Sequence, residues 1–107
     1  MNIQIIKHIN VEENNRIEFL LHNYDYIDGN DIILKFFEEE FKMEMSEKIE
    51  GLFSNIIKVR NNGDEYTLVW HEDVGNYVFS TKQDEKSITD LEKRLELIVD
   101  KLNRIIP

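Results

Sequence analysis

The hydrophobic positions change period along the chain, and the changes divide it into elements. Between Asn55 and Thr81 apolar and polar residues alternate across NIIKVRNNGDEYTLVWHEDVGNYVFST, the pattern of half-buried strands. Asn62-Gly63 interrupts the alternation with a pair suited to a two-residue hairpin loop, because both central positions of a type I′ turn need positive φ. With these residues as the loop, Arg60 falls opposite Glu65, Val59 opposite Tyr66, Ile57 opposite Leu68 and Ile56 opposite Val69. Such matched pairs each stabilise a sheet by roughly 0.2–1 kcal/mol. Asp73-Val74-Gly75-Asn76 marks a second turn. As a four-residue loop it sets Trp70 opposite Phe79 and His71 opposite Val78. This register predicts a core face of Ile57, Val59, Tyr66, Leu68, Trp70, Tyr77 and Phe79, backed by a half-polar face of Ile56, Lys58, Thr67, Val69, His71, Val78 and Ser80. A slip of one residue would move Trp70 to the other face from Phe79.

Upstream, Asn2–Ile9 alternates imperfectly and reads as a strand, with a polar turn at Val11–Asn15. Arg16–Asn23 fits a strand through Ile17, Phe19 and Leu21, or a helix through Ile17, Leu20 and Leu21. The β-rich continuation at Tyr24, Tyr26 and Ile27 favours the strand. Asp28-Gly29-Asn30 breaks the chain, and Asn30 or Asp31 is placed to cap a helix running to about Met45. The apolar positions of that helix, from Ile32 to Met45, span an arc of about 220° on an ideal wheel, far wider than an ordinary surface stripe. Glu40 and Glu44 fall inside the arc. Either the helix stops or bends before Glu44, or it packs on two sides. Ser46–Leu52 reads as a short helical turn ending at Gly51.

Beyond the charged loop Lys82–Lys86, apolar residues return with a helical step. Ile88, Leu91, Leu95, Ile98, Leu102 and Ile105 form a narrow stripe, with Leu97 off it. Thr89 with Glu92 offers a capping box, and Ser87 with Asp90 an alternative start. Asp90–Arg94 and Asp100–Arg104 are spaced as i,i+4 ion pairs. The stripe covers fewer than three heptads, so packing on the sheet explains it better than a long coiled coil.

At 107 residues the chain makes one domain with a single core. The expected fold class is α+β: an antiparallel sheet of three to five strands with two main helices on its core face, in the order β-β-α-β-β-β-α. No run approaches the ~20 apolar residues of a membrane span, and MNIQIIKHIN lacks the apolar region of a signal peptide. The chain has no Cys, so it has no disulfide framework or thiolate metal site. A cytoplasmic location fits these features.

The net charge is −9, and it is uneven. Residues 1–50 hold 5 basic and 12 acidic residues, whereas residues 87–107 hold 4 of each. Such an excess disfavours nucleic acid and anionic membranes as partners and suits a basic protein. Aromatic residues that stack on bases are usually flanked by Lys and Arg, but Trp70 and its neighbours are flanked by Glu65, Glu72 and Asp73. His8, His22 and His71 form no ligand motif, no serine sits in an elbow, and four scattered glycines build no phosphate loop. No enzyme, cofactor or metal is expected. The candidate contacts for a basic partner are Glu38, Glu39, Glu44, Glu65, Glu72 and Asp73, with Tyr77 as an aromatic anchor.

In size, acidity, α+β character and its Ala-free, Ile- and Asn-rich composition, the chain resembles the immunity proteins of bacterial toxin systems, including contact-dependent growth inhibition. The resemblance implies binding to the toxic domain of a cognate effector, often a basic nuclease, and neutralisation by occluding its cleft. Two other classes share the same composition. A secretion chaperone would act as a homodimer through the apolar arc of Ile32–Met45 or the C-terminal stripe. A phage-encoded DNA mimic would compete with DNA for its target.

Overall fold

A computed structural model describes residues 2–105 of the chain. Six strands form one antiparallel sheet: β1 (Gln4–Asn10), β2 (Arg16–His22), β3 (Glu44–Glu50), β4 (Ser54–Asn61), β5 (Asp64–His71) and β6 (Gly75–Ser80). Their spatial order is β1-β2-β6-β5-β4-β3. Two helices, α1 (Gly29–Phe41) and α2 (Glu85–Ile105), cover one face. α1 lies over β3, β4 and β5, and α2 over β6 and β1. The α+β class and the two helices match expectation, but there are six strands, in the order β-β-α-β-β-β-β-α.

The additional strand is β3, where a helix end and a helical turn were expected. α1 stops at Lys42, whose φ of +53° leaves the right-handed helical region, while the Lys42 and Met43 amides both donate to the Phe37 carbonyl. A left-handed residue with such wrap-back bonds ends the helix. Met45 therefore belongs to the sheet, and the wide apolar arc resolves into a shorter helix that buries Ile33 and Phe37. The sequence EMSEKIE is rich in helix formers, but Glu44 pairs across from Arg60 and Glu47 from Lys58 on β4. Cross-strand partners override a weak local propensity.

The two turns of the meander differ in outcome. Asn62 and Gly63 take φ of +49° and +87°, and every β4–β5 pair is as expected. The β5–β6 turn is tighter than the four-residue loop. The Val74 amide donates to the His71 carbonyl at 3.1 Å, and Gly75 closes the turn at φ +88° directly opposite His71. Trp70 consequently faces Asn76, not Phe79. That offset of three residues is odd, so it exchanges the faces of β6. Asn76, Val78 and Ser80 turn to the helices and are buried, whereas Tyr77 and Phe79 turn to the open face.

The core joins Phe19, Leu21, Ile57, Val59, Tyr66, Leu68 and Val78 of the sheet to Ile33 and Phe37 of α1 and to Ile88, Leu91, Leu95, Ile98, Val99 and Leu102 of α2. Arg94 ties α2 to the hairpin. It donates to the Tyr66 hydroxyl at 2.8 Å and pairs with Asp64 at 3.4 Å. The expected Asp90–Arg94 pair is therefore absent, and Asp90 takes Lys86 instead. Burial pushes the Tyr66 phenol up to about 12, with the Arg94 charge opposing the shift. An ion pair between Glu40 and Lys101 joins the two helices.

Both helix starts differ from the expected caps. Asp28 occupies the cap position of α1 without a side-chain hydrogen bond. Asn30 is instead buried and donates to the Asn55 carbonyl, and Asp31 pairs with Lys48. α2 starts earlier than Ser87 or Thr89. The Asp84 carboxylate accepts the Ser87 amide at 3.4 Å, and the Ser87 side chain first, then this amide, hold its carboxyl below the usual range.

Two predictions follow from this packing. Phe37→Ala should lower unfolding stability by about 3–5 kcal/mol in urea titrations, since its fully buried ring leaves a cavity under α1. The Asp84 cap makes the stability pH-dependent with a definite sign. A carboxyl with a lowered folded-state pKa stabilises fully above its unfolded value of about 4 and loses that contribution as pH falls through the folded value. Asp84→Ala should thus destabilise at pH 7 and have less effect at pH 2, measured by urea melts at both.

Candidate partner-binding site

At one end of the sheet three connections meet. They are the β2–α1 segment (residues 23–28), the β3–β4 turn (residues 51–53) and the β5–β6 turn (residues 72–74). Antiparallel pairing brings them together, because His71 lies opposite both Ser54 and Gly75, the residues at which β4 and β6 begin. Direct bonds lock them. The Glu72 amide donates to the Phe53 carbonyl at 3.0 Å, and Trp70 Nε1 to the Asp25 carbonyl at 3.1 Å. Asn76 Nδ2 donates to the carbonyls of Tyr24 and Tyr26, at 2.9 and 3.0 Å. Trp70 is therefore half-buried as a brace under the β2–α1 segment and is not stacked on Phe79.

Close approach reinforces the lock. A Cβ at Gly75 would lie 3.1 Å from that of Asp25, and one at Gly29 would lie 2.8 Å from the Tyr24 ring and collide with Asn76. Tyr24 is buried, its hydroxyl donating to the Gly29 carbonyl at 3.3 Å. Burial, with Tyr26 adding to it, pushes its phenol up to about 12.

On this rigid base the loops present apolar side chains to water. Tyr26, Ile27, Leu52, Phe53 and Val74 are each 51–85 % exposed. Asp25, Asp28, Glu50, Glu72 and Asp73 lie among them in sequence, and residues 23–28, 50–53 and 72–75 contain no Lys or Arg. Among the described residues Asp25, Asp28, Glu72 and Asp73 have no ion-pair partner. Glu50 shares Lys48 with Asp31, and Asp31 is the larger cause holding that ammonium above its ordinary pKa. Clustered exposed apolar residues mark interaction sites more reliably than scattered ones.

The seven residues singled out in the sequence divide among three surfaces. Glu72 and Asp73 belong to the loop cluster. Glu38 and Glu39 are exposed on α1, in the helical layer. Glu44, Glu65 and Tyr77 lie on the open face of the sheet, where Glu44 and Glu65 flank Arg60 on its two neighbouring strands. Thr81 Oγ1 donates to Glu65 at 2.7 Å. Tyr77 is half-buried against Phe79, with ring centroids 6.4 Å apart. Its phenol is raised first by burial and then by Glu18. The residues that sequence reasoning missed are Asp25, Asp28, Tyr26, Ile27, Leu52, Phe53 and Val74. Their signal was apolar residues beside Gly or Asp breakers, as in Gly51-Leu52-Phe53 and Tyr26-Ile27-Asp28.

The open face differs in character from the loop end. It holds shallow grooves of about 580 and 430 Å³ on either side of Tyr77. Several of its ionic groups are already engaged. Glu18 is only 4 % exposed and accepts Arg16 Nε at 2.9 Å, Arg16 Nη2 at 2.7 Å and Asn10 Nδ2 at 3.2 Å. The Arg16 guanidinium covers the Phe79 ring at 3.6 Å, a cation–π contact that shields the ring from water. Lys58 pairs with Glu47. Among the described residues no three His, Asp or Glu side chains group as metal ligands, and no helix is long and apolar enough to cross a membrane.

Comparison with protein-family models, with curated proteins and with solved structures finds no match to this chain.

Asn76 is the side chain on which the loop cluster depends most. Asn76→Ala should leave the Tyr24 and Tyr26 carbonyls without their donor and cost about 1–3 kcal/mol. Hydrogen exchange should quicken first in residues 23–29, before the amides of β4 and β5 are affected.

Proposed function

We propose that this chain is an inhibitory binding protein of the immunity type, which seats a basic toxin domain, nuclease-like in charge, against its loop end and thereby occludes the toxin's substrate cleft. One observation carries the reading. Five exposed apolar side chains and four carboxylates share three adjoining loops that contain no Lys or Arg, with Glu50 beside them at the end of β3. The carboxylates, part of a net charge of −9, would steer a basic surface into contact and accelerate association. Tyr26, Phe53 and Leu52 would then supply the desolvated anchors that dominate interface energies. Glu72 and Asp73 sit at the centre of this interface, while Glu38 and Glu39 are remote from it.

The homodimeric chaperone reading has less support. The apolar stripe of α2 and the apolar side of α1 are buried in the chain's own core, so the surfaces it would use are already occupied.

Co-expression with the product of the neighbouring open reading frame, followed by biolayer interferometry of the purified pair, tests the proposal. Toxicity of that product should vanish on co-expression. The double variant Glu72→Lys, Asp73→Lys should weaken binding by about ten- to a hundred-fold, mainly through a slower and less salt-dependent association rate. Glu38→Lys with Glu39→Lys should change it by no more than about two-fold. A complex indifferent to the loop substitutions, or one that holds an unfolded segment, would overturn the assignment.

A further inference from the structure

The two edges of the sheet are defended differently. Every residue of β3 is exposed, but a register shift between Met45 and Glu47 distorts it and four of its seven residues are charged. Bulges and charges of this kind are how sheets discourage pairing with other chains. β1 is less defended, with no bulge and Lys7 as its one Lys, Arg, Asp or Glu. It pairs with β2 in unbroken register over all seven residues, from Gln4↔His22 to Asn10↔Arg16. It contains no Pro, no acidic residue and one Lys, and its Ile6 and Ile9 are 45 % and 56 % exposed.

The outward peptide groups of β1 can be identified. The Ile3 amide donates to Asn103 Oδ1 at 2.8 Å, and Asn103 Nδ2 donates back to the Ile3 carbonyl at 3.1 Å. The Asn2 carbonyl points the other way, accepting from Asn23 Nδ2 just beyond β2. Alternation along an antiparallel strand then directs the amides and carbonyls of Ile5, Lys7 and Ile9 outward. Asn103 makes the two bonds that a neighbouring strand would make at Ile3, and among the described residues no side chain bonds the edge beyond it.

The sequence of this edge is nearly its own mirror image. In QIIKHIN, centred on Lys7, Gln4 matches Asn10 as an amide and Ile5 matches Ile9, while Ile6 falls opposite His8. We propose that the open edge of β1 is a self-association strand, along which a second copy of this chain pairs antiparallel about Lys7 to form a continuous twelve-stranded sheet. Each Ile5 meets an Ile9 of the other copy, and the amide side chains of Gln4 and Asn10 face each other. The two Lys7 side chains meet on the axis, the one unfavourable pair, since like charges directly opposite weaken a ladder. The two loop clusters then lie at opposite ends of the joined sheet, so the assembly presents both.

Sedimentation velocity on the full chain, over a concentration series up to about 1 mM at low and high salt, is the test. A monomer–dimer equilibrium is expected, shifted toward dimer by salt, which screens the −9 charge of each copy. Ile9→Pro removes one outward donor without touching the β1–β2 ladder and should give a monomer with an unchanged far-UV circular dichroism spectrum. An equimolar mixture of the unaltered chain and Lys7→Glu should dimerise roughly two- to five-fold more tightly than either alone, because opposite charges then meet on the axis. This last measurement stands even if Ile9→Pro fails to fold. A monomer at every concentration and salt, or a dimer indifferent to the charge swap, would overturn the proposal. Neither result depends on whether the loop end binds a toxin.

Discussion

The register of β6 against β5 is the constraint on which the remaining architecture rests. Gly75, at φ +88°, closes the turn opposite His71, and from that one pairing every side chain of β6 receives its face. Val78 enters the core beside Leu68 and Phe19, Asn76 enters beneath the β2–α1 segment, and Tyr77 and Phe79 are left on the open side. Because β6 also pairs with β2, the same register transmits to the β1–β2 hairpin. Asn76 Nδ2 donates to both Tyr24 and Tyr26 while its buried Oδ1 finds no partner among the described residues, and the two bonds hold the segment leading into α1. One tight turn thus orders the sheet, the start of a helix and the loop cluster together.

Features governed by residues close in sequence were legible in the chain. Asn62-Gly63 prescribed its turn and, through it, the full β4–β5 register. The stripe of Ile88, Leu91, Leu95, Ile98 and Leu102 prescribed the buried side of α2. Features governed by distant partners were not. EMSEKIE reads as helix until Arg60 and Lys58 are placed opposite its glutamates. Arg94 appears bound for Asp90, four residues away, until Tyr66 and Asp64 arrive from the hairpin. The β6 faces hinged on where Gly75 takes its left-handed conformation, and a sequence containing Asp73-Val74-Gly75-Asn76 allows more than one answer.

The candidate site was legible only in part for a related reason. Acidic residues announce themselves in composition, so Glu72 and Asp73 were found together with glutamates on unrelated surfaces. Tyr26, Ile27, Leu52, Phe53 and Val74 look in sequence like contributors to a core. Their exposure becomes evident only when Tyr24, Trp70 and Asn76 fill the space beneath them. Charge alone therefore dispersed the site over three surfaces, while the coincidence of uncovered apolar groups and unpaired carboxylates concentrates it in one.

The roof that Arg16 makes over Phe79, held in place by Glu18, has a consequence for how the molecule can change over time. It shields the Phe79 ring without any contribution from the loop end. The three loops lie outside the core and contribute little to it, apart from Tyr24, Gly29, Gly75 and Asn76, which form their footing. Substitutions at Asp25, Tyr26, Leu52, Phe53, Glu72 or Val74 can accumulate at small cost to folding. A scaffold so arranged can keep its architecture while its loop surface diverges, which under the proposed function would let it track a changing partner.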